Sequence, residues 1–306
     1  MGLWWQPSFY NFINFIMGCK NIYLKKFIWR GFKLNIKMPI IMEAIFIVIA
    51  VVIYLITSNT FFILNFLYIG SAISIGLFFM IRKYRYARNI ILLAIGSYLF
   101  FHVGILGHEN LSLSGFWYCL FLGVFEAAVV HFLVAKVLGP LLFGRGWCGY
   151  ACWTAMVLDL FPYNAPQNPR KNWGYIRYVT FLVILCGVAS LFILKFSNLD
   201  LIIYYIFIGG NLIYYVVGII LAYKLKDNRA FCKYICPITV FLKISSYFSL
   251  LRVKIDEDLC VDCGKCIKSC PMDVDILDNS RKRENATECI LCLNCIHSCS
   301  KNALKL

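Results

Sequence analysis

Negative charge is scarce in this 306-residue sequence: 15 Asp and Glu stand against 30 Lys and Arg. Charged residues of both signs make up only 15% of the chain, while 61% is hydrophobic and the mean hydropathy is +0.75. A soluble domain has far more polar surface to show water, so this composition excludes an ordinary soluble protein and points to lipid. A Gly-rich phosphate loop and a dinucleotide fingerprint are also missing, which removes the common nucleotide-binding readings. No hydrolase triad signature is present. The net charge of +15 would suit nucleic acid if it were gathered on one surface, so the positions of the charges decide.

Six apolar runs are present, at residues 40–56, 61–81, 90–106, 116–143, 178–194 and 201–223. Each is long enough, or nearly so, to cross a hydrocarbon core that needs about 20 residues. The basic residues fall on alternate junctions. Residues 57–60 and 107–115 carry none, and the fifth junction has only Lys195. Arg82, Lys83, Arg85 and Arg88 fill the second junction; Arg145, Arg170, Lys171 and Arg177 lie in the fourth; Lys224, Lys226 and Arg229 follow the last run. By the positive-inside rule the sequence predicts six membrane crossings with both termini in the cytoplasm of a cytoplasmic (inner) membrane. The same pattern accounts for much of the charge without nucleic acid. Residues 1–38 are aromatic and basic, with Lys20, Lys25, Lys26, Arg30, Lys33 and Lys37 and no acid. That order is the reverse of a signal peptide, and it predicts an interfacial amphipathic arm. The expected domains are the arm (1–38), a six-helix membrane bundle (39–251) and a polar tail (252–306).

Cysteine is abundant, and 8 of the 15 lie in the last 47 residues. Such clustering beside a membrane domain reads as metal ligation in a reducing compartment rather than as disulfides. The tail reads Cys260-x-x-Cys263-x-x-Cys266-x-x-x-Cys270-Pro271 and then Cys289-x-x-Cys292-x-x-Cys295-x-x-x-Cys299. Three cysteines at this spacing wrap one cubane cluster, and the fourth reaches across to the other. The expected ligand sets are therefore Cys260, Cys263, Cys266 and Cys299 for one [4Fe–4S] cluster, and Cys270, Cys289, Cys292 and Cys295 for the second. Structural zinc prefers two separated pairs, which this spacing fits poorly. About 55 residues cannot build a strong apolar core alone, and clusters can organise the fold instead. The tail resembles bacterial two-cluster ferredoxins. That resemblance implies a small α+β domain with pseudo-twofold symmetry, each half a short strand pair and a helix, and low-potential one-electron transfer.

A second signal is an internal repeat. Residues 145–152 read Arg-Gly-Trp-Cys-Gly-Tyr-Ala-Cys and residues 229–236 read Arg-Ala-Phe-Cys-Lys-Tyr-Ile-Cys. Both follow the pattern Arg-x-aromatic-Cys-x-Tyr-x-Cys after an apolar run, which suggests two related halves facing each other at the membrane surface. With the tail, these segments resemble the membrane-bound polyferredoxin family, which includes accessory subunits of nitrate and nitrous oxide reductase systems and a cytochrome oxidase maturation protein that handles copper. The resemblance runs from about residue 85 to the end. Its usual Cys-x-x-x-Cys-Pro is met at Pro237 but not in the first segment, where Trp153 follows. The flavin-binding domain of the nitrous oxide regulator subtype is not recognisable ahead of the membrane part.

For Cys148, Cys152, Cys232 and Cys236 three readings stand open: a third iron–sulfur cluster bridging the halves, a pair of redox-active dithiols, or copper held by soft thiolates. Cys19, Cys119 and Cys186 are isolated and read as inert. Glu126 and His131 in the fourth run and His102 in the third are ionisable groups at membrane depth; they suit a quinol head group or its protons, or less directly haem. Lys265, Lys268 and Lys282 offer the tail a basic surface for an acidic redox partner such as a ferredoxin, a flavodoxin or a reductase subunit. The expectation is an electron carrier or oxidoreductase subunit. Its rivals are a copper or metal reductase or cofactor-assembly protein, and a non-catalytic membrane anchor.

Overall fold

The computed structural model describes residues 37–82, 84, 86–124 and 127–306. Most of the expected amphipathic arm, with Cys19, lies outside the described residues, as does Glu126.

Four helices are long and apolar enough to cross a membrane: Thr60–Ile81, Ala87–Leu106, Ile176–Ile193 and Leu199–Leu225. Shorter apolar helices span Pro39–Leu55, Leu113–Leu122 and Leu133–Phe143. Only 11% of the apolar window in Ile176–Ile193 is buried against protein, and Val183 and Ile193 stand outward. An apolar helix surface of this kind has no soluble solution and calls for lipid. The chain is a membrane protein.

The first long hairpin is made by Lys37–Thr57 and Thr60–Ile81. Asn59 caps the second helix through its side-chain oxygen, which accepts from the Phe61 N–H at 2.9 Å. Glu43 is held across the hairpin by the Ser71 hydroxyl at 3.0 Å. Ala87–Ser97 packs on this hairpin and continues as a π-helix over Tyr98–Leu106.

The fourth apolar run is not one helix. Leu113–Leu122 stops at Gly123, whose φ of 71° is the left-handed conformation that ends helices. The chain resumes as Ala127–Phe132, widens to a π-helix over Leu133–Leu138 and closes with Gly139–Phe143. The break admits Lys136 to the interior, where it is 3% exposed.

Polar contacts between helices place the repeated segments. The Trp153 indole N–H donates to Asn211 at 2.7 Å in the middle of Leu199–Leu225, and the Tyr215 hydroxyl donates to the Trp153 carbonyl at 3.3 Å. The short helix Trp153–Leu158 is thereby fixed against the last long helix. Asn110 does the same at the other end, donating to Ser114 and to the Ile203 carbonyl at 3.1 Å each.

The tail joins the bundle through backbone pairing: the Leu250 and Leu251 N–H groups donate to Leu141 and Leu142 at 2.9 and 2.8 Å. Within it, β1 (Lys254–Ile255) pairs antiparallel with β2 (Leu304–Lys305). Two short helices, Lys265–Lys268 and Asn294–Ser298, pack together. The hydroxyls of Ser269 and Ser298 meet at 3.0 Å; each precedes the last cysteine of its motif, so the pair marks a pseudo-twofold axis. The two strand pairs implied by the ferredoxin resemblance reduce to one among the described residues. In the other half a single backbone hydrogen bond, from the Asp275 N–H to the Glu284 carbonyl at 3.0 Å, joins the two sides, and the Asn279 side chain binds β1, accepting from the Ile255 N–H and donating to the Ile255 carbonyl, both at 2.9 Å. One apolar core contains both Cys148 and Cys232 from the repeated segments and Cys266, Cys270 and Cys295 from the tail, with Met272, Val274 and Ile290. The tail is packed onto the membrane part and is not a tethered appendage.

Candidate functional site

Two groups of four cysteines and one of three come together. In the junction set, Cys270, Cys289, Cys292 and Cys295 line a single cavity, closed by apolar residues that include Val253 and Met272. The Cys295 thiol lies in electrostatic reach of the other three. Cys270 comes from the first motif and its companions from the second. In the distal set, Cys266 lies near Cys260 and Cys299, again one from the other motif. Cys263 is exposed. In the paired set, Cys236 lies in reach of Cys148, Cys152 and Cys232.

The paired set owes its shape to a reciprocal clasp. Arg145 donates to the Cys232 carbonyl at 3.4 Å, and Arg229 donates to the Cys148 carbonyl at 2.8 Å. Each segment's arginine therefore holds the first cysteine of the other segment. Both guanidiniums are fully buried. Arg229 also binds Asp159, which Arg88 shares at 2.7 Å.

The junction set rests directly on the first repeated segment. The Arg145 N–H donates to the Cys289 carbonyl at 3.2 Å. The Tyr150 hydroxyl donates to the Leu291 carbonyl at 2.8 Å. Between them, Gly149 meets the Ile290 carbonyl so closely that an added Cβ would sit 2.4 Å from its oxygen. The loop of one set thus lies backbone to backbone on the loop of the other. Gly149→Ala should force the two apart at a cost of about 1–3 kcal/mol. The check is thermal unfolding in detergent, with a lowered Tm and earlier proteolysis near residue 252.

Glu288, one residue ahead of Cys289, is 1% exposed. Its carboxylate takes Arg145, Arg177 at 2.8 Å, Arg170 at 3.4 Å and Lys243 at 3.6 Å. Lys233 bridges Asp227 at 2.8 Å and Asp273 at 2.6 Å. Seven cations thus share four carboxylates around the junction. Uncompensated buried charge is costly, and anionic centres beside it relieve that cost. Lys136 adds an eighth cation near Cys148, Cys152 and Cys236, stacked over the Trp147 ring at 4.3 Å.

Burial disfavours the thiolate at most of the paired and junction cysteines. Burial pushes Cys289 up to about 12 and Cys232 up to about 11, and it also raises Cys236 and Cys295. A metal that takes these sulfurs as thiolates must release their protons. Among the described residues no three His, Cys, Asp or Glu side chains converge on a point suited to a single metal ion. The four soft donors of the junction set, spread around one cavity and flanked by surplus positive charge, fit a polynuclear iron–sulfur cluster.

The remaining sequence candidates are scattered. Cys119 is buried in Leu113–Leu122, and Cys186 is exposed on Ile176–Ile193. His102 stacks on Tyr98 at 5.1 Å, while His131 meets Trp147 edge-on at 5.0 Å; the two rings take different partners. Sequence reasoning missed Lys136, Glu288 and Asp159; it named Gly149 and Tyr150 in the repeat without foreseeing their contacts to the tail. Lys136 had the same signal that drew attention to His131, an ionisable group inside an apolar run.

Comparison with known proteins agrees with this arrangement. Residues 252–300 match the family described as a 4Fe-4S dicluster domain. Residues 126–164 and 208–256 match the family described as a 4Fe-4S binding domain; these two stretches contain the repeated segments. An uncharacterized protein of Methanocaldococcus jannaschii is 28% identical over 191 residues, covering 58% of this chain and 70% of its own. The putative electron transport protein YccM of Escherichia coli is 30% identical over 83 residues, 27% of this chain and 23% of its own. The ferredoxin-type protein NapH of Haemophilus influenzae is 26% identical over 195 residues, 58% of this chain and 66% of its own. No solved structure matches. With apolar helices that require lipid, cysteine sets suited to iron and sulfur, and these relatives, the chain is similar to the membrane-bound polyferredoxins and is a membrane iron–sulfur electron-transfer protein.

Proposed function

We propose that the chain passes single electrons between a soluble carrier docked on the tail and a quinone or redox partner in the membrane. Cys260, Cys263, Cys266 and Cys299 hold one [4Fe–4S] cluster and Cys270, Cys289, Cys292 and Cys295 a second. Cys148, Cys152, Cys232 and Cys236 hold a third. When bound, such clusters supply one-electron carriers that need no proton or bond change. The chain's own part is to fix their spacing, exclude water and balance their charge.

The contact of Gly149 with Ile290, flanked by the Arg145 and Tyr150 hydrogen bonds, carries this reading. It gives an electron a short covalent and hydrogen-bonded path from Cys289 to Cys148. The exposed thiol of Cys263 marks the opposite end of the path, with Lys265 and Lys268 nearby on the surface for an acidic partner. For the paired set, the clasp of Arg145 and Arg229 and the nearness of Lys136 favour an anionic occupant. The alternating basic junctions support six crossings of the cytoplasmic membrane with both termini in the cytoplasm. In this scheme Leu113–Leu122 and the broken stretch after it share the fourth crossing.

The test is reoxidation of the reduced full chain in proteoliposomes. Protein reduced anaerobically with dithionite is mixed with vesicles carrying an oxidised quinone, and recovery of the cluster absorbance is followed. Rapid recovery is expected for the native chain, and slow recovery for Cys148→Ser with Cys232→Ser. Equal rates with and without quinone would exclude quinone as the acceptor. Clusters that dithionite cannot reduce would turn the protein into a structural anchor.

A further inference from the structure

The two tail sites differ sharply in their electrostatic surroundings. Around the junction set, Arg88 and Arg229 act on Cys292, Arg283 acts on Cys289 and Lys233 acts on Cys270, opposed on these sulfurs by Asp273. Behind them stand Arg145, Arg170, Arg177 and Lys243, all on the one carboxylate of Glu288. Around the distal set the nearest charge is negative: the Asp262 carboxylate lies 3.5 Å from the Cys260 sulfur. Lys265 and Lys268 beside it are exposed and screened by water and salt. On Cys266 the largest influences from other side chains are the thiols of Cys260 and Cys299.

We infer that the junction site is the more easily reduced of the two tail sites, so that electrons entering at the exposed distal site run inward to the repeated segments. This rests on the reading above that both sets hold iron–sulfur clusters. Adding an electron makes a four-thiolate cluster more negative, so nearby cations favour reduction and nearby carboxylates oppose it. Hydration of the distal site pulls the other way. The junction cations prevail because they are buried: at equal separation a charge in a protein interior acts about fourfold more strongly than in water. The transfer is balanced. One electron leaves the distal site and arrives at the junction site; the first is oxidised and the second reduced by one, and no proton moves. A low-potential one-electron carrier protein supplies the electron, and the paired set accepts it.

The measurement is an EPR-monitored redox titration of the full-length protein, anaerobic and in detergent, with three variants. Asp262→Asn removes the acid beside the distal set, and Arg88→Gln removes a cation beside Cys292. Lys243→Gln instead removes a cation from Glu288, the residue before Cys289, and does so from a side chain that is 34% exposed, should Arg88→Gln fail to fold. The expected result is two tail components with unequal midpoints. Asp262→Asn should raise the lower one alone, and Arg88→Gln or Lys243→Gln should make the higher one more negative alone. The inference is overturned if Asp262→Asn moves the higher component, if the cation variants move the lower one, or if the midpoints coincide. A protein without iron, or with no signal on reduction, removes the underlying reading as well, and that outcome is visible before any variant is titrated.

Discussion

Replacing Glu288 with glutamine is expected to cost about 3–5 kcal/mol, the usual penalty for removing one partner from a buried ion network. The glutamine side chain fits the same space and keeps an acceptor oxygen. It loses the charge that holds Arg145, Arg170, Arg177 and Lys243 together. Arg145 and Arg177 are buried, so water cannot take over. Because Arg145 also clasps the Cys232 carbonyl, the damage should reach the paired cysteines as well as the tail. The signs are lower yield from membranes, a lowered Tm and protease cleavage near residue 252. Glu284→Gln serves as a control four residues away; this side chain is exposed and should change stability by less than about 0.5 kcal/mol. Equal behaviour of the two variants would show that Glu288 does not anchor the tail.

The second large effect concerns which cysteines act together. Cys299→Ala should remove about four irons, the content of one cubane cluster. The iron lost belongs to the set formed with Cys260, Cys263 and Cys266, although Cys299 stands in the other motif. Double variants make this decisive. In a Cys260→Ala chain, Cys299→Ala should remove no further iron; in a Cys289→Ala chain it should remove about four more. The converse holds for Cys270→Ala. Were the ligation uncrossed, the two backgrounds would exchange roles. The grouping of Cys270 with Cys289, Cys292 and Cys295 around one cavity supports the crossed outcome.

Much of the site was legible from the sequence because its chemistry is local. Spacings of two and three residues between cysteines define a binding loop whatever the rest of the fold does, and the repeat at 145–152 and 229–236 announced itself by identity of pattern. The long apolar runs were legible for the same reason, since lipid demands a continuous stretch. What was hidden is long-range or singular. Glu288 meets Arg145 across 143 residues, and no pattern around either residue announces the other. Gly123 ends a helix through one left-handed residue, a detail that an apolar average over 116–143 smooths away. Asn279 ties down β1 with one amide, which the ferredoxin resemblance could not foresee. The closeness of Gly149 to Ile290 joins two loops that the sequence keeps 141 residues apart, counted between neighbours Tyr150 and Leu291.

The most direct test of the account is iron and acid-labile sulfide per chain after anaerobic purification, for the native protein and for a variant with Cys148, Cys152, Cys232 and Cys236 all changed to alanine. Three four-iron clusters require about twelve irons in the native chain, falling to about eight in the variant. About eight in both would remove the third cluster and the electron path through the repeated segments. Almost no iron, with zinc in its place, would contradict the account as a whole.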